Sequence, residues 1–190
     1  IAERKADSAW RGCNVTIPHK VAVMDFVSDP GGVKDTIGAM NTIIRQPDGE
    51  LVGTNTDAAG FFAPISEVNL EGAPVVVIGA GGASRAVLFA LARAGVGEVT
   101  ILNRSPMKAM GLLATFGLKG NVLALDATLP PAALVVNSSS LGMKGQPPLE
   151  IDLSPLPDDA IVYDLVYAPL ETGLLKQAAN CTSLDEAVTL

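Results

Sequence analysis

Hydrophobic positions along the chain follow two different patterns. From residue 14 to 62 they are scattered among turn formers, in stretches such as NVTIPHK, SDPGG, RQPDGE and GTNTDAAGFF. Within that text, residues 42–45 and 50–54 are β-favouring runs separated by QPDG, which predicts a hairpin. Residues 20–26 and 57–65 carry helical spacing, and the opening IAERKADSAWRGCN reads as the interior of a helix. From residue 73 onward, short apolar runs alternate with amphipathic ones. PVVVIGAG predicts a buried strand running into a turn, and 84–94 a helix stopped by Gly95. Strands are expected at 98–102, 121–125, 133–137 and 160–164. Helices are expected at 106–115, with Pro106 in the first turn where its missing N–H costs nothing, and at 169–179. Apolar strands alternating with helices imply parallel βαβ units with both sheet faces covered.

Composition removes several function classes. Of 190 residues, 48% are hydrophobic and 17% charged, enough apolar material for a packed core. Thirteen basic residues against twenty acidic ones give a net charge of -7, which offers no basic footprint for nucleic acid. No run approaches the roughly 20 apolar residues that span a bilayer. Two cysteines, Cys13 and Cys181, one histidine and no CxxC argue against a disulfide framework and against a metal site. The expected setting is the cytoplasm, with both thiols reduced. The composition is compatible with a monomer or a homodimer.

The stretch VVVIGAGGASRAVLFALARAG has the strand, glycine turn and helix of a dinucleotide-binding fingerprint. Gly79 permits the tight turn, Gly81 lets a pyrophosphate approach the backbone, and Ser84 takes the third, small position. Residues Gly79, Ala80, Gly81, Gly82, Ala83 and Ser84 are therefore cofactor-binding candidates. At the end of the next strand, where an NAD-binding unit places a carboxylate, stand Asn103, Arg104 and Ser105, with Lys108 close behind. A guanidinium pairs with a 2′-phosphate that a carboxylate would repel, so the expected cofactor is NADP. The predicted fold is α/β: a C-terminal Rossmann-type NADP-binding domain (67–190) preceded by a partial α/β substrate domain (1–66).

The first third supplies the remaining polar groups. GCNVTIPHK, IGAMNT and GTNTDAAGF hold short polar side chains in turns, suited to a polyol, with Lys20 and Asp57 as the ionisable candidates. A lysine beside a carboxylate can pass a proton to a carbonyl oxygen under reduction. The same spacing also fits a surface lysine and an aspartate that merely caps a helix. His19, without a partner cluster, reads as a loop residue, and Trp10 as packing.

Taken together, NVTIPHK, IGAMNT, GTNTDAAGF, GAGGASRA, NRS, NSSSLGM and YDLVYAPLET resemble the shikimate dehydrogenase family in both content and order. The resemblance extends to about Ala179. It implies a two-domain enzyme that reversibly reduces 3-dehydroshikimate to shikimate with NADPH, in the route through chorismate to the aromatic amino acids. Lys20 and Asp57 match the family's catalytic pair, and Thr16, Asn41 and Tyr167 its substrate-binding positions. The loop near the nicotinamide falls on 137–143, which adds Ser138 and Met143 as cofactor candidates.

The chain departs from the family pattern in places. The N-terminal serine pair that would bind the substrate carboxylate is not in this text, nor is the C-terminal helix with a substrate-binding glutamine. Ser138 and Ser139 stand where alanine and threonine are commoner, and Thr54 where aspartate is frequent. Two other readings are a quinate/shikimate dehydrogenase paralogue and a non-catalytic NADP-binding module.

Overall fold

The computed structural model describes residues 1–180 and the backbone of 187–189. A short helix α1 (Ala2–Lys5) precedes β1 (Gly12–Asn14), so the opening segment does not continue as the helix expected of it. The turn between them is closed by the Asp7 carboxylate accepting from the Ala9 amide. Beyond it, Gly12–Asn14 is drawn into antiparallel pairing with β2 (Thr42–Arg45). A one-turn helix α2 (Val33–Thr36) lies between these strands, and β2 pairs with β3 (Leu51–Thr54) as the predicted hairpin. The helix expected at 20–26 is only a 3-10 turn, Ala22–Asp25. The Lys20 carbonyl is taken by the Met40 amide at 2.8 Å, so it is lost to an α-helical ladder.

Helix α3 (Asp57–Phe62) runs through a 3-10 turn, Ala63–Ile65, towards β4 (Val75–Ile78). Then come α4 (Gly82–Arg93), β5 (Val99–Leu102), α5 (Pro106–Thr115), β6 (Gly120–Leu123), β7 (Leu134–Asn137), β8 (Ile161–Asp164), α6 (Gly173–Asn180) and β9 (Ala187–Thr189). The larger sheet has the order β6-β5-β4-β7-β8-β9, all pairs parallel. The chain order reverses beside β4, which makes the carboxyl ends of β4 and β7 the topological switch point where α/β sheets bind ligands. Strand β9 was not expected from the sequence.

Strands β4, β5 and β7 are buried throughout, and the pleat sends alternate residues to opposite faces. Val75 and Val77 pack with Val87 and Leu91 of α4 and with Leu112 of α5. Val76 and Ile78 pack with Leu174 and Ala178 of α6. A third core, built on Met40, Ile43 and Leu51 of the small sheet, includes Ala86 of α4. Helix α4 is therefore shared between the two sheets. Segment 57–65 also faces both ways: Ala58 packs in the small core, while Phe61 and Ile65 enter the large one. Phe61 stacks on Tyr163 of β8 with ring centroids 5.1 Å apart. Burial pushes the Tyr163 phenol up to about 12.

Candidate functional site

Three loops from the small-sheet region meet beside the glycine turn. Lys20 comes from the turn just before the 3-10 segment that follows β1, Asn41 from the entry to β2, and Asp57 from the first turn of α3. Lys20 Nζ donates to Asp57 Oδ2 at 2.6 Å, with the side chains 13% and 21% exposed. Asn41 Nδ2 donates to Asp57 Oδ1 at 2.7 Å and to Thr56 Oγ1 at 2.8 Å. Its Oδ1 accepts from the Thr56 amide at 2.9 Å and from the Thr42 hydroxyl at 3.1 Å. The amide is thereby saturated and fixes the plane of the Asp57 carboxylate.

Asp57 does not cap its own helix. Asn55 does so, its Oδ1 accepting from the Ala58 amide at 3.1 Å while its Nδ2 reaches the Ala39 carbonyl at 2.8 Å. Both Asp57 oxygens are left for Lys20 and Asn41. The arrangement can move a proton: an ammonium with one partner and partial access to water, held by a carboxylate that is itself held.

The glycine turn lies alongside. Gly79 has φ +108, in the region that favours glycine, and a side chain there would press on the backbone and Cβ of Ser139. The Gly81 amide donates to Ser84 Oγ at 2.9 Å, and Ser84 and Ser138 share a hydroxyl–hydroxyl bond of 2.8 Å. Ser138 Oγ donates on to the Ile78 carbonyl at 2.8 Å. Both serines are buried, so their hydroxyls hold the turn from beneath rather than facing its open side. A Cβ at Gly81 would meet nothing, which leaves that side clear for a pyrophosphate at the start of α4. At the end of β5, Asn103 Nδ2 donates to the Ser105 carbonyl at 2.9 Å and curls the segment, while Arg104 and Ser105 are exposed. An open glycine cradle with a guanidinium and no acid at the second strand fits NADP.

The loop after β7 packs on the glycine turn, Ser139 against Gly79, and the loop after β8 lies next to it. Asn137 and Asp164, both fully buried, are joined by Asn137 Nδ2 donating to Asp164 Oδ1 at 2.9 Å. Asp164 Oδ1 also accepts from the Val166 amide at 3.0 Å, and Oδ2 from the Thr172 hydroxyl at 2.7 Å. Burial pushes the Asp164 carboxyl above its ordinary range, against the pull of the Thr172, Val166 and Asn137 hydrogen bonds. The Lys144 amide donates to the Ala168 carbonyl at 2.8 Å, tying the two loops together beside Met143 and Tyr167. Tyr167 is 66% exposed.

Two family models match this chain: "Shikimate dehydrogenase substrate binding domain" over residues 1–43 and "Shikimate / quinate 5-dehydrogenase" over 63–140. A shikimate dehydrogenase (NADP(+)) of Sphingopyxis alaskensis is 76% identical over 185 residues, which is 97% of this chain and 67% of that protein. The chain belongs to the shikimate dehydrogenase family.

The chain spans about two thirds of the length of the curated relatives it matches. Among solved structures, the shikimate 5-dehydrogenase of Thermus thermophilus in complex with NADP(H) and shikimate is 34% identical. It superposes with a TM-score of 0.82, covering 100% of this chain and 71% of that one. A quinate dehydrogenase from Corynebacterium glutamicum in complex with NAD is 30% identical with a TM-score of 0.82, covering 99% and 69%. The family relatives named for NADP agree with the cofactor that Arg104 implies.

The fold brings Lys20, Asp57 and Asn41 together and sets them against the glycine turn. Thr16 is exposed at the edge of the group, its carbonyl accepting from the His19 amide at 2.9 Å. His19 itself is an exposed loop residue, and Trp10 packs against the small core, as read from the sequence. No helix is long and apolar enough to cross a membrane, and no His, Cys, Asp and Glu cluster could hold a metal, among the described residues. Sequence reasoning passed over Asn55 and Thr56, although GTNTD places an Asn two residues before a predicted helix start, a signal for a cap. It also passed over Asp164 and Thr172. The helix expected from 169 starts at Gly173 because Thr172 Oγ1 accepts from the Leu175 amide, an N-cap that fixes the first turn.

Proposed function

We propose that this chain carries the NADP-dependent interconversion of 3-dehydroshikimate and shikimate, with Lys20 and Asp57 as its proton-handling pair. The observation that carries the reading is the 2.6 Å Lys20–Asp57 bond, partly open to water, with the stem of Lys20 lying against Gly82 at the start of the cofactor helix. Bound NADPH supplies the reducing equivalents. During reduction the Lys20 ammonium donates a proton to the oxygen of the substrate carbonyl, which becomes the new hydroxyl, and Lys20 regains its proton from water. Oxidation runs the same transfer backwards. Asp57 aims the lysine and accepts a hydrogen bond from a substrate hydroxyl. Thr16 and Asn41 bind the ring, Asn41 by sharing donors it now gives to Asp57 and Thr56, and Tyr167 closes over the substrate.

In this reading residues 1–66 form the substrate lobe and 67–190 the cofactor lobe, with 57–65 bridging them. The backbone of Gly79, Ala80, Gly81, Gly82 and Ala83 faces the pyrophosphate, and Ser84 and Ser138 brace that turn. Asn103 shapes the segment from which Arg104 and Ser105 meet the 2′-phosphate, and Met143 lies by the nicotinamide. In this reading the setting is the cytoplasm.

The test is the absorbance of the reduced nicotinamide with shikimate or quinate as substrate and NADP or NAD as cofactor. Turnover with shikimate and NADP is expected. A preference for quinate would move the chain to the quinate branch, which the likeness to a quinate dehydrogenase keeps in view. Cofactor binding without turnover of either acid would overturn the enzymatic reading.

A further inference from the structure

The fingerprint explains Gly79, Gly81 and the small Ser84, but it places no demand on position 82, which is nevertheless glycine. Gly82 is the first residue of α4 and its backbone is helical, a conformation open to every residue type. Conformational freedom therefore does not account for it. Its surroundings do. A Cβ added at Gly82 would stand 2.9 Å from Lys20 Cβ, 3.4 Å from Cδ and 3.6 Å from Cγ. The aliphatic stem of Lys20 lies across the bare backbone at the start of the cofactor helix.

We infer that Gly82 is a positioning residue for the reaction: its missing side chain is the seat on which Lys20 rests, so that one glycine joins the cofactor turn to the proton donor. Lys20 has little room to yield. Its carbonyl is held by the Met40 amide at 2.8 Å, and its ammonium by Asp57 at 2.6 Å. The nearest atom is the Cβ, fixed to the backbone, not the free end of a long chain that could swing aside. Carbon atoms in contact sit about 3.5–4.0 Å apart, so a methyl at 82 would have to separate helix start and lysine by up to about 1 Å. A shift of that size at a reacting group costs about 100-fold in rate. The open side of the turn, where Gly81 faces nothing, would be untouched.

This inference rests on Lys20 being the proton donor, and the experiment separates the two. Measure kcat with shikimate, the NADPH dissociation constant by fluorescence and the melting temperature for Gly82→Ala, Lys20→Ala and the double variant. Gly82→Ala is expected to lower kcat about 100-fold, with any loss of NADPH affinity at the adjoining turn at least about tenfold smaller than the loss of kcat. In the Lys20→Ala background the same substitution should change kcat by no more than about twofold, because the ammonium it misplaces is gone although the Cβ it strikes remains. An inactive Lys20→Ala beside a near-native Gly82→Ala would overturn the seat while leaving the catalytic pair intact. A near-native Lys20→Ala would overturn both. Equal losses of NADPH affinity and kcat in Gly82→Ala would leave position 82 with the cofactor alone and overturn the seat. If Gly82→Ala does not fold, Lys20→Gly with Gly82→Ala removes the Cβ that the methyl strikes. Recovery of the Lys20→Gly melting temperature supports the contact, and failure to recover overturns it.

Discussion

The protein uses the same pair of side chains twice, to opposite ends. At Asp57 an asparagine amide, Asn41 Nδ2, donates to Oδ1 at 2.7 Å and an ammonium, Lys20, donates to Oδ2 at 2.6 Å. At Asp164 an asparagine amide, Asn137 Nδ2, donates to Oδ1 at 2.9 Å and a hydroxyl, Thr172, donates to Oδ2 at 2.7 Å. The hydrogen-bond plan is nearly identical. The difference lies in the second partner and in water. Asp57 has a cation and an open side; Asp164 is fully buried and has only neutral donors. A carboxylate with a mobile proton nearby and access to substrate can take part in chemistry. One sealed among neutral donors ties segments together, here the ends of β7 and β8 and the first turn of α6. The residue pair alone does not define a catalytic site; exposure and the charge of the partner do.

The sharpest way to break this comparison is to take the charge from the open carboxylate. Asp57→Asn keeps the shape but removes the counter-charge that aims the Lys20 ammonium. It should lower kcat about 100-fold. A variant with near-native kcat would put Asp57 on the same structural footing as Asp164. Next in size is Arg104→Ala, which would remove the charge-assisted contact proposed for the 2′-phosphate. NADP affinity should fall about 10- to 100-fold while that for NAD hardly moves. Equal losses for the two cofactors would detach Arg104 from the phosphate.

Much of this organisation can be read from the residues. The buried strands β4, β5, β7 and β8 announce themselves as apolar runs, because both faces of a covered parallel sheet must be hydrophobic. Helix α5 has the predicted bounds, set by Pro106 at one end. Legibility fails where distant partners decide. The opening helix is cut short by pairing across to β2, some thirty residues further along the chain. The segment after Lys20 is diverted by the Met40 amide. Lys20 and Asp57 were legible as a candidate pair, which the resemblance then matched to the family's, but the approach of Lys20 to Gly82 is a three-dimensional fact that spacing does not carry. Asp164 stayed hidden because a carboxylate at the end of a strand looks, in sequence, like any solvated residue.

The smallest effect tests the sealed carboxylate. Because burial raises the Asp164 carboxyl, the folded state holds its proton more tightly than the unfolded chain does. The native protein must therefore gain stability from this group as pH falls through the range between the raised value and the ordinary one, and lose it as pH rises. Asp164→Asn cannot titrate. Near neutral pH its stability should lie within about 1 kcal/mol of native, since the amide can still accept from Asn137 and Val166. On acidification the native protein should gain relative to the variant, as read from melting temperatures across the acid range. A variant that gained instead would show that the hydrogen bonds outweigh desolvation.

The account stands on Lys20 as the group that delivers the proton, and steady-state turnover of shikimate with NADP by Lys20→Ala tests it most directly. A fall in kcat of about 100-fold or more, with KM shifted only a few-fold, is the predicted result. A variant that turns over at close to the native rate would contradict it.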